Sequence, residues 1–489
     1  MVDVLFTHSY FLKFDSKEYR AMAPYSPLGT LYAATYLKSF GYSVALFDSM
    51  LANSEQDILP ILKKYQPKYL VIYDDDFNYL TKMCLSRMRH AAFLMSKMAK
   101  ESGCVVIVHG SDPVDHIDDY LDHGADYVIV GEGEATIKEL LDTLRFKTDF
   151  EHQTIHGLSY RKNGIKYHTA KRDISRDLDI FPFPDRDLID MEHYRRIWKK
   201  RHGYFSTNIV TTRGCPFHCN WCAKPIYGQV YHSRSPEDVV EEMLILKNKY
   251  HPDHLWFCDD IFGLKPGWLA QFADCVIHKN VQIPYKCLSR ADLLLKDDSI
   301  THLHRSGCAS VWIGAESGSQ KILDAMEKGI TIEQIYESTR LLHERGIRVG
   351  FFLQFGYPGE TKSDIDLTLT MLKKCMPDEI GISVSYPLPG TKFYKHIEEQ
   401  LGEKQNWIDS QDLAMMFQGT YHPDFYRVLH KVIHKKFRIW QGNDILKQWM
   451  NRERRVDKYT LRRISAMVYH MMTLPQYTTQ LNRLEKITQ

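Results

Sequence analysis

Short apolar runs alternate with helix-like patterns along the first 144 residues of the chain. Strands are predicted over residues 2–7, 42–47, 69–73, 104–108 and 127–130. Helices are predicted over residues 28–40, 57–65, 83–101 and 135–144. Strands of this length that alternate with helices predict a parallel sheet with helices on both faces. Ligands of such sheets bind beyond the carboxyl ends of the strands.

A second alternating region begins at Asn208. Strands are predicted over residues 208–212, 255–258, 285–288, 310–315, 349–355 and 379–386, and helices over 236–250, 319–327 and 332–345. Six such units predict a barrel, or part of one, with its site at the carboxyl ends of the strands. Between the two regions, residues 157–168 predict a hairpin that turns at Asn163-Gly164. Pro182 and Pro184 then predict a linker.

Composition places the chain among ordinary globular proteins. Its 489 residues suggest about three domains. Lys and Arg number 63 against 61 Asp and Glu, so the net charge of +2 gives no general support for a nucleic-acid partner. The sequence starts without a secretory signal and has no apolar run of the roughly 20 residues that span a bilayer, so a cytoplasmic protein without a transmembrane segment is expected. Ten cysteines then indicate metal or redox chemistry rather than disulfides.

Three of those cysteines lie within one short segment, residues 213–222 (RGCPFHCNWC), just after the first strand of the second region. Cys215, Cys219 and Cys222 can converge on one metal centre from a single loop. A closed zinc site takes four ligands, so three thiolates favour a centre with an open position. Zinc with His218 or a distant cysteine as fourth ligand stays an alternative, as does a Cys219–Cys222 redox pair. The other seven cysteines are scattered and are predicted mostly to pack as small apolar side chains.

This cysteine pattern, with Trp221 directly before the last cysteine, resembles the signature of radical SAM enzymes. The resemblance implies that Cys215, Cys219 and Cys222 hold a 4Fe-4S cluster. It also implies that the fourth iron binds S-adenosyl-L-methionine, whose reductive cleavage yields a 5′-deoxyadenosyl radical. A low-potential electron donor such as flavodoxin or ferredoxin is implied as a partner.

Four later segments, each at a predicted strand end, resemble the S-adenosylmethionine contacts of that family. Asp259 or Asp260 suits the methionine amino group, although Asp260 also fits a helix N-cap. Ser289 and Arg290 resemble residues that face the methionine carboxylate, and Glu316 resembles one that accepts the ribose hydroxyls. The adenine is expected against residues 355–361. The predicted contacts on this side are Trp221, Asp259, Asp260, Ser289, Arg290, Glu316, Ser317 and Gln354.

Segments 24–32, 110–113 and 131–134 resemble the cobalamin-binding domain of the subfamily that includes anaerobic magnesium-protoporphyrin IX monomethyl ester cyclase and cobalamin-dependent methylases. The resemblance implies cobalamin contacts from Ser26, Leu28, Gly29, Gly110, Ser111, Gly131 and Gly133. The Asp-x-His-x-x-Gly motif that supplies a lower cobalt ligand is missing, because His109, His116 and His123 do not fit its spacing. Cobalamin without a lower histidine, cobalamin with another ligand, and a domain that has lost the cofactor are the alternatives. Two or more residues of the acidic run 74–76 are predicted to be solvated.

The predicted architecture is α/β with three parts. A Rossmann-like sheet of cobalamin-binding type (residues 1–148) precedes a hairpin and linker (149–200), a radical SAM (β/α)6 partial TIM barrel (201–395) and a helical C-terminal domain (396–489). Between Arg427 and Arg463 the chain has twelve Lys or Arg and three Asp or Glu. This pattern favours the solvated basic face of a helical bundle over a nucleic-acid surface.

The expected function is a cobalamin-dependent radical SAM enzyme that modifies an unactivated carbon of a small-molecule or peptide substrate, with methyl transfer as the favoured chemistry. Ring formation or oxidation without methyl transfer, methylthiotransfer, and a non-enzymatic cobalamin- or zinc-binding protein are the alternatives. Methylthiotransferases carry three more cysteines in the amino-terminal domain, whereas this chain has only Cys84 and Cys104 there. No catalytic acid or base is predicted.

Overall fold

Two sheets with surrounding helices make up the computed structural model, which describes residues 1–146, 152–402, 406–410, 413, 415–451 and 458–486. The strands of the first sheet are β1 (Val4–Thr7), β2 (Val44–Phe47), β3 (Tyr69–Tyr73), β4 (Val105–His109), β5 (Tyr127–Ile129), β6 (Leu158–Lys162) and β7 (Ile165–His168). Their order is β2-β1-β3-β4-β5-β6-β7. The first five strands run parallel, as predicted, because helices connect them.

The helices of this part are α1 (Ser16–Ala21), α2 (Leu28–Ser39), α3 (Ile58–Tyr65), α4 (Tyr79–Lys82), α5 (Ser86–Glu101), α6 (Ser111–Asp115), α7 (Ile117–Asp122) and α8 (Glu134–Phe146). The strand order reverses direction between β1 and β3. At such a switch point the loops after the two strands diverge and leave a crevice at the carboxyl edge of the sheet. The first sheet therefore places any ligand site beside Ser9 and Asp74.

The predicted hairpin belongs to the edge of this sheet, because β6 pairs antiparallel with β5. Its turn has φ of 51° at Asn163 and 77° at Gly164, the left-handed conformation that the Asn-Gly pair predicts. The following linker segment is packed rather than free. Within it, Arg186 is buried and bonds to the Glu242 carboxylate at 3.0 Å and to the Asn208 carbonyl at 2.7 Å.

The second sheet is a half barrel. Its strands are β8 (Ser206–Ile209), β11 (His254–Phe257), β12 (Tyr285–Ser289), β13 (Cys308–Glu316), β14 (Arg348–Phe355) and β15 (Glu379–Val384), and a separate short ribbon is formed by β9 (Thr212–Arg213) and β10 (His232–Ser233). The six strands are all parallel, in the order β15-β14-β13-β12-β11-β8. The prediction of a six-unit partial barrel is confirmed.

Helices cover the outside of the half barrel and form the C-terminal part. They are α9 (Met191–His202), α10 (Pro236–Ile245, continued by a π-helical turn over Leu246–Tyr250), α11 (Trp268–His278), α12 (Ala291–Leu294), α13 (Ser299–Ser306), α14 (Gln320–Ala325), α15 (Ile332–Glu344), α16 (Lys362–Cys375), α17 (Lys392–Ile397), α18 (Pro423–Met450) and α19 (Lys458–Leu484). Short 3-10 turns are Leu12–Phe14, Ser49–Leu51, Glu55–Asp57, His152–Thr154, Arg186–Leu188 and Glu398–Gln400. The helical C-terminal prediction is confirmed.

The two long C-terminal helices pack closely. A Cβ at Gly442 of α18 would lie 2.5 Å from the Met467 side chain of α19, so glycine permits this approach. The inner face of α18 continues the barrel core through Phe425, Val432 and Ile433. In the described parts of the chain, no helix is long and apolar enough to cross a membrane.

Candidate cofactor site

The cysteine loop begins where β9 ends, at the carboxyl side of the first barrel strand. Cys215 is buried, and Cys219 and Cys222 are half-buried. Gly214 has φ of 80°, and a Cβ there would lie 2.3 Å from the Val230 carbonyl oxygen, so only glycine fits beside the neighbouring strand. Burial raises the pKa of Cys222 to about 12, so without a metal this side chain is a neutral thiol.

Across the residues that the structure describes, no three His, Cys, Asp or Glu side chains converge as ligands of a single metal ion. In an iron–sulfur cluster, thiolates bind different iron atoms. Cluster ligands therefore need not converge on one point.

Asp259 anchors the entrance to the cysteine loop. Its carboxylate accepts hydrogen bonds from the backbone N–H groups of Thr211 and Thr212, both at 2.7 Å, and from their hydroxyls, both at 2.9 Å. Burial raises the pKa of Asp259 to about 6 despite these bonds. Asp260 pairs instead with Lys82, at 2.6 Å, from the first-sheet half of the chain. Contact of either carboxylate with the methionine amino group stays a prediction.

Arg290 places a fixed positive charge beside the loop. Its guanidinium lies 3.8 Å from the centre of the Phe217 ring and 3.9 Å from the Cys219 sulfur. Asp292 accepts its Nε–H at 2.9 Å and the Gly329 carbonyl accepts from Nη2 at 3.2 Å. Because these partners fix the side chain, the guanidinium stays beside the loop, where it can pair with an anionic group. Its contact with the methionine carboxylate stays a prediction. Ser289, directly before it, is half-buried at the end of β12.

Glu316 ends β13 with φ of 57°, an unusual conformation for a non-glycine residue. Its carboxylate is 2.7 Å from the Lys328 ammonium, and both side chains are buried. Although burial disfavours the charged amine, the Glu316 carboxylate raises the pKa of Lys328. Lys328 also lies 5.9 Å above the Trp221 ring. Sequence reasoning missed Lys328 because no motif marks it. Ser317, next to Glu316, faces the Thr368 hydroxyl at 3.3 Å.

Three buried polar atoms at this edge of the barrel have no hydrogen-bond partner in the described structure: Trp221 Nε1, Gln354 Oε1 and Glu360 Oε1. Buried polar atoms are rarely left unpaired, so such a group indicates a place for a polar ligand. Trp221 and Gln354 are predicted contacts. The indole offers a donor and the amide oxygen an acceptor.

The buried carboxyl group of Glu360 makes the free energy of unfolding of the protein depend on pH. Burial raises its pKa to about 8, with nearby Asp364 adding to the effect, while the Gly356 N–H donates to it at 2.6 Å. The folded protein therefore keeps this proton up to about pH 8, whereas the unfolded chain loses it near the usual value of 4.5. Between these values the unfolded state binds fewer protons, so stability decreases as pH rises.

We therefore expect Glu360→Gln to gain stability relative to the unmodified protein as pH rises from about 5 to 8, by up to ~1.4 kcal/mol per pH unit. Thermal unfolding at a series of pH values measures the difference. Glu337→Gln, a change at an exposed position of α15, is the control and should show no such trend. A constant difference for Glu360→Gln would contradict the raised pKa.

The acidic run 74–76 at the end of β3 is buried, contrary to the prediction of a solvated loop. The run turns inward at the switch point of the first sheet. Asp74 accepts the Ser9 N–H at 2.8 Å and Asp75 accepts the Gly29 N–H at 2.9 Å. Neither oxygen of Asp76 has a hydrogen-bond partner among the described residues, and burial raises its pKa well above the usual range.

Other unpaired polar atoms share this edge with Asp76. His109 has its Nε2 2.8 Å from the Gly131 carbonyl, while its Nδ1 faces Asp76 Oδ2 at 3.6 Å, beyond hydrogen-bond distance, and has no hydrogen-bond partner in the described structure. The hydroxyls of Ser9 and Ser111 are likewise buried and unpaired within the described ranges. Ser9, Asp76 and Ser111 follow β1, β3 and β4, and His109 is the last residue of β4, so all four lie at the carboxyl edge of the sheet.

Three of the glycines that were predicted to contact cobalamin lie directly against side chains of this protein. A Cβ at Gly29 would lie 3.2 Å from Asp75, one at Gly110 2.8 Å from Asp74, and one at Gly133 2.7 Å from Tyr73. Gly131 is more open, its nearest atom being the Ile226 carbonyl oxygen at 3.9 Å. Ser26 bonds to the Asn208 amide oxygen at 2.6 Å, and Leu28 packs in a small core between the two sheets. Their contacts with cobalamin stay predictions.

Arg213 joins the two sheets. This buried residue of β9 donates to Glu132 at 2.5 Å and to Glu134 at 2.5 Å, and its guanidinium lies 4.0 Å from the Phe181 ring centre. Both carboxylates belong to the segment that follows β5. The pairing fixes the start of the cysteine loop against the ligand-binding edge of the first sheet. Arg213, Glu132 and Glu134 all lie in segments that the sequence analysis singles out. The sequence does not show that their side chains form ion pairs.

Residues 209–372 match the family model described as the radical SAM superfamily. The half barrel and its cysteine loop thus define the class: the chain carries a radical SAM domain, and the prediction of a radical SAM enzyme is confirmed. An uncharacterized methyltransferase of Pyrococcus horikoshii is 28% identical over 389 residues, which are 78% of this chain and 80% of that protein.

The anaerobic magnesium-protoporphyrin IX monomethyl ester cyclase of Synechocystis is 24% identical, with 75% of this chain and 72% of that protein covered. Among solved structures, the radical S-adenosylmethionine methyltransferase TsrM from Kitasatospora setae superposes with a TM-score of 0.65 at 18% identity, covering 82% of this chain and 78% of that one. This structural likeness extends the shared fold well beyond the matched domain.

Proposed function

We propose that this chain is a cobalamin-dependent radical SAM enzyme that transfers a methyl group to an unactivated carbon of a small-molecule or peptide substrate. The observation that carries the proposal is the contact of Arg213 with Glu132 and Glu134. This contact holds the cysteine loop of the half barrel against the carboxyl edge of the first sheet, whose parallel strands have the order β2-β1-β3-β4-β5. Both edges are ligand-binding edges in their fold classes, so two cofactors would face each other.

The similar proteins support this assignment. The Pyrococcus relative is described as a methyltransferase, and the Kitasatospora structure is described with cobalamin and a [4Fe-4S] cluster bound. Because the Synechocystis relative is described as a cyclase, ring formation is the second candidate reaction for this chain.

The barrel residues fit a cluster with S-adenosylmethionine. Cys215, Cys219 and Cys222 would hold the cluster, which supplies the electron that cleaves S-adenosylmethionine. Arg290 offers its guanidinium to a carboxylate beside Cys219. The buried amide oxygen of Gln354 has no hydrogen-bond partner in the described structure, so a ligand that donates a hydrogen bond would satisfy it.

The edge of the first sheet fits a large polar ligand such as cobalamin, which supplies a methyl group. The unpaired groups of Ser9, Asp76, His109 and Ser111 are the observation behind this fit. Burial raises the pKa of Asp76 and so favours its neutral form, which would donate a hydrogen bond to an amide or phosphate oxygen. His109, bonded through Nε2 to a carbonyl, presents Nδ1 as an acceptor.

The test is anaerobic reconstitution of the full chain with iron, sulfide and cobalamin. The proposal requires about four irons per chain, a corrin absorption spectrum that persists through gel filtration, and 5′-deoxyadenosine formation under reducing conditions. Incubation with S-adenosylmethionine labelled in its methyl group should label the bound cobalamin. Iron and 5′-deoxyadenosine without retained corrin would contradict cobalamin dependence, and one zinc without S-adenosylmethionine cleavage would contradict the enzyme. A corrin that never takes up label would favour ring formation.

Glu316→Gln is expected to weaken S-adenosylmethionine binding about tenfold, because a charged hydrogen-bond acceptor for the ribose hydroxyls is lost. Iron content should stay unchanged, since Glu316 is outside the cysteine loop. Equilibrium binding of S-adenosylmethionine and iron analysis measure the two effects. The exposed Glu337→Gln variant is the control, and an unchanged affinity for Glu316→Gln would refute the ribose contact.

A further inference from the structure

Helix α19 presents apolar side chains on two opposite faces. Its inner face packs against α18 and the barrel core through the buried side chains of Met467 and Leu481. Its outer face carries Leu461, Val468 and Met472, which are 56%, 47% and 77% exposed. Positions spaced by seven and four residues lie on one side of a helix, so these three side chains form a single line, the outer stripe. The outer stripe is about 16 Å long, from the rise of a helix per residue.

Further exposed apolar side chains extend this surface. Tyr469 and Met471 flank the outer stripe. Trp449 and Met450 end α18 beside the start of α19, because the two helices run antiparallel. Residues 449–472 thus hold seven of the twenty large apolar side chains that are exposed in the described structure. Such a concentration on one surface indicates a binding partner, whereas single exposed apolar residues need no explanation.

The surroundings of the outer stripe are cationic. Helix α19 contains no Asp or Glu from Lys458 to Leu484. Lys447, Arg462 and Arg483 are exposed, and none of them forms an ion pair with another described residue. The twelve Lys or Arg against three Asp or Glu between Arg427 and Arg463 extend the positive charge along α18. Cations beside an exposed apolar face are typical of a helix that lies on an anionic membrane surface.

The charge distinguishes a lipid surface from a second copy of the chain. Two copies that met through the outer stripe would bring two α19 helices together, each with exposed arginines and without a carboxylate. Like charges in an interface oppose association. Anionic headgroups instead supply the missing negative charge, and the boundary of the acyl chains accepts Leu, Val and Met side chains without a shaped pocket.

We propose that the outer stripe and the cations beside it form a peripheral membrane-binding surface that holds the protein on anionic phospholipid. The three apolar side chains enter the headgroup region, while Arg462 and Arg483 contact lipid phosphates. Binding is reversible, because three side chains bury far less apolar area than a transmembrane helix does. The proposal is independent of the proposed function, since no residue of the outer stripe belongs to either cofactor edge.

The experiment measures sedimentation of the full reconstituted chain with vesicles. One set contains equal parts of phosphatidylcholine and phosphatidylglycerol, and the other contains phosphatidylcholine alone. The unmodified chain should sediment with the anionic vesicles, and its bound fraction should fall as salt is added. Leu461→Ser/Val468→Ser/Met472→Ser should weaken this binding about tenfold or more. Arg462→Gln/Arg483→Gln should weaken it and flatten its dependence on salt.

The matched control removes three other exposed aliphatic side chains from helices. Leu59 lies on α3, Ile277 on α11 and Leu367 on α16, and all three are exposed to a similar degree as Val468. The variant Leu59→Ser/Ile277→Ser/Leu367→Ser should bind the anionic vesicles as well as the unmodified chain does. Both serine variants should unfold at nearly the temperature of the unmodified chain, because they change only exposed positions.

Three sedimentation results would overturn the membrane-binding surface: equal binding to both sets of vesicles, unchanged binding of the outer-stripe variant, or equal losses in the two serine variants. Light scattering during gel filtration tests the second copy as the occupant. An unmodified dimer that the outer-stripe variant converts to a monomer, without vesicle binding by either, would assign the outer stripe to self-association and refute the lipid partner.

Discussion

Replacement of Cys215, Cys219 and Cys222 by Ala is expected to remove the cluster and to abolish cleavage of S-adenosylmethionine. Cluster iron is bound through cysteine thiolates, and the described residues offer no ready-made group of three His, Cys, Asp or Glu side chains that could hold a metal ion in their place. Iron per chain after anaerobic reconstitution should therefore decrease from about four to near zero. Iron and sulfide analysis measures the loss, and the absence of 5′-deoxyadenosine confirms its consequence.

The matched control removes an equal number of thiols elsewhere. Cys104 directly precedes β4 of the first sheet, Cys275 lies on α11 and Cys375 ends α16, so none belongs to the cysteine loop. Their replacement by Ala should leave the iron content unchanged at a modest cost in stability, because Cys275 is half-buried and the small buried side chains of Cys104 and Cys375 leave small cavities. Retained iron in the loop variant, or lost iron in the control, would refute the assignment.

The fold could be predicted where the pattern is local. The strand at Tyr69–Tyr73 has the bounds that its apolar run predicts, and the turn at Asn163-Gly164 has the backbone conformation that this pair favours. The cysteine loop is local too, since three ligands within eight positions need no tertiary information. These features depend on neighbours in sequence, which a single chain displays directly.

The rest of the site could not be predicted because it depends on contacts between distant segments. Asp74 to Asp76 look solvated in sequence, yet the loops after β1 and the start of α2 cover them. Asp259 suits a cation by its chemistry, but Thr211 and Thr212, 48 and 47 positions earlier, occupy its oxygens. Lys328 reaches Glu316 only because the helix α14 returns the chain to the end of β13.

Arg213→Ala is expected to destabilise the protein by about 3–5 kcal/mol, because it leaves the carboxylates of Glu132 and Glu134 buried without their counter-charge. Both are 2% exposed, and burial raises the pKa of Glu134 even with Arg213 present. Chemical denaturation at neutral pH measures the loss. The same variant should reduce cobalamin retention more than iron content, since the cysteines stay on their loop while the attachment of the first sheet is broken.

A combined variant separates charge from geometry. Arg213→Met with Glu132→Gln and Glu134→Gln removes both buried charges, so it should recover a large part of the stability lost in Arg213→Ala. Cobalamin retention should stay low in the combined variant if the ion pairs orient the two sheets, because Met cannot donate to either side chain. Full recovery of both stability and cobalamin would instead mean that Arg213 only neutralises charge, and the joining role proposed for it would fail.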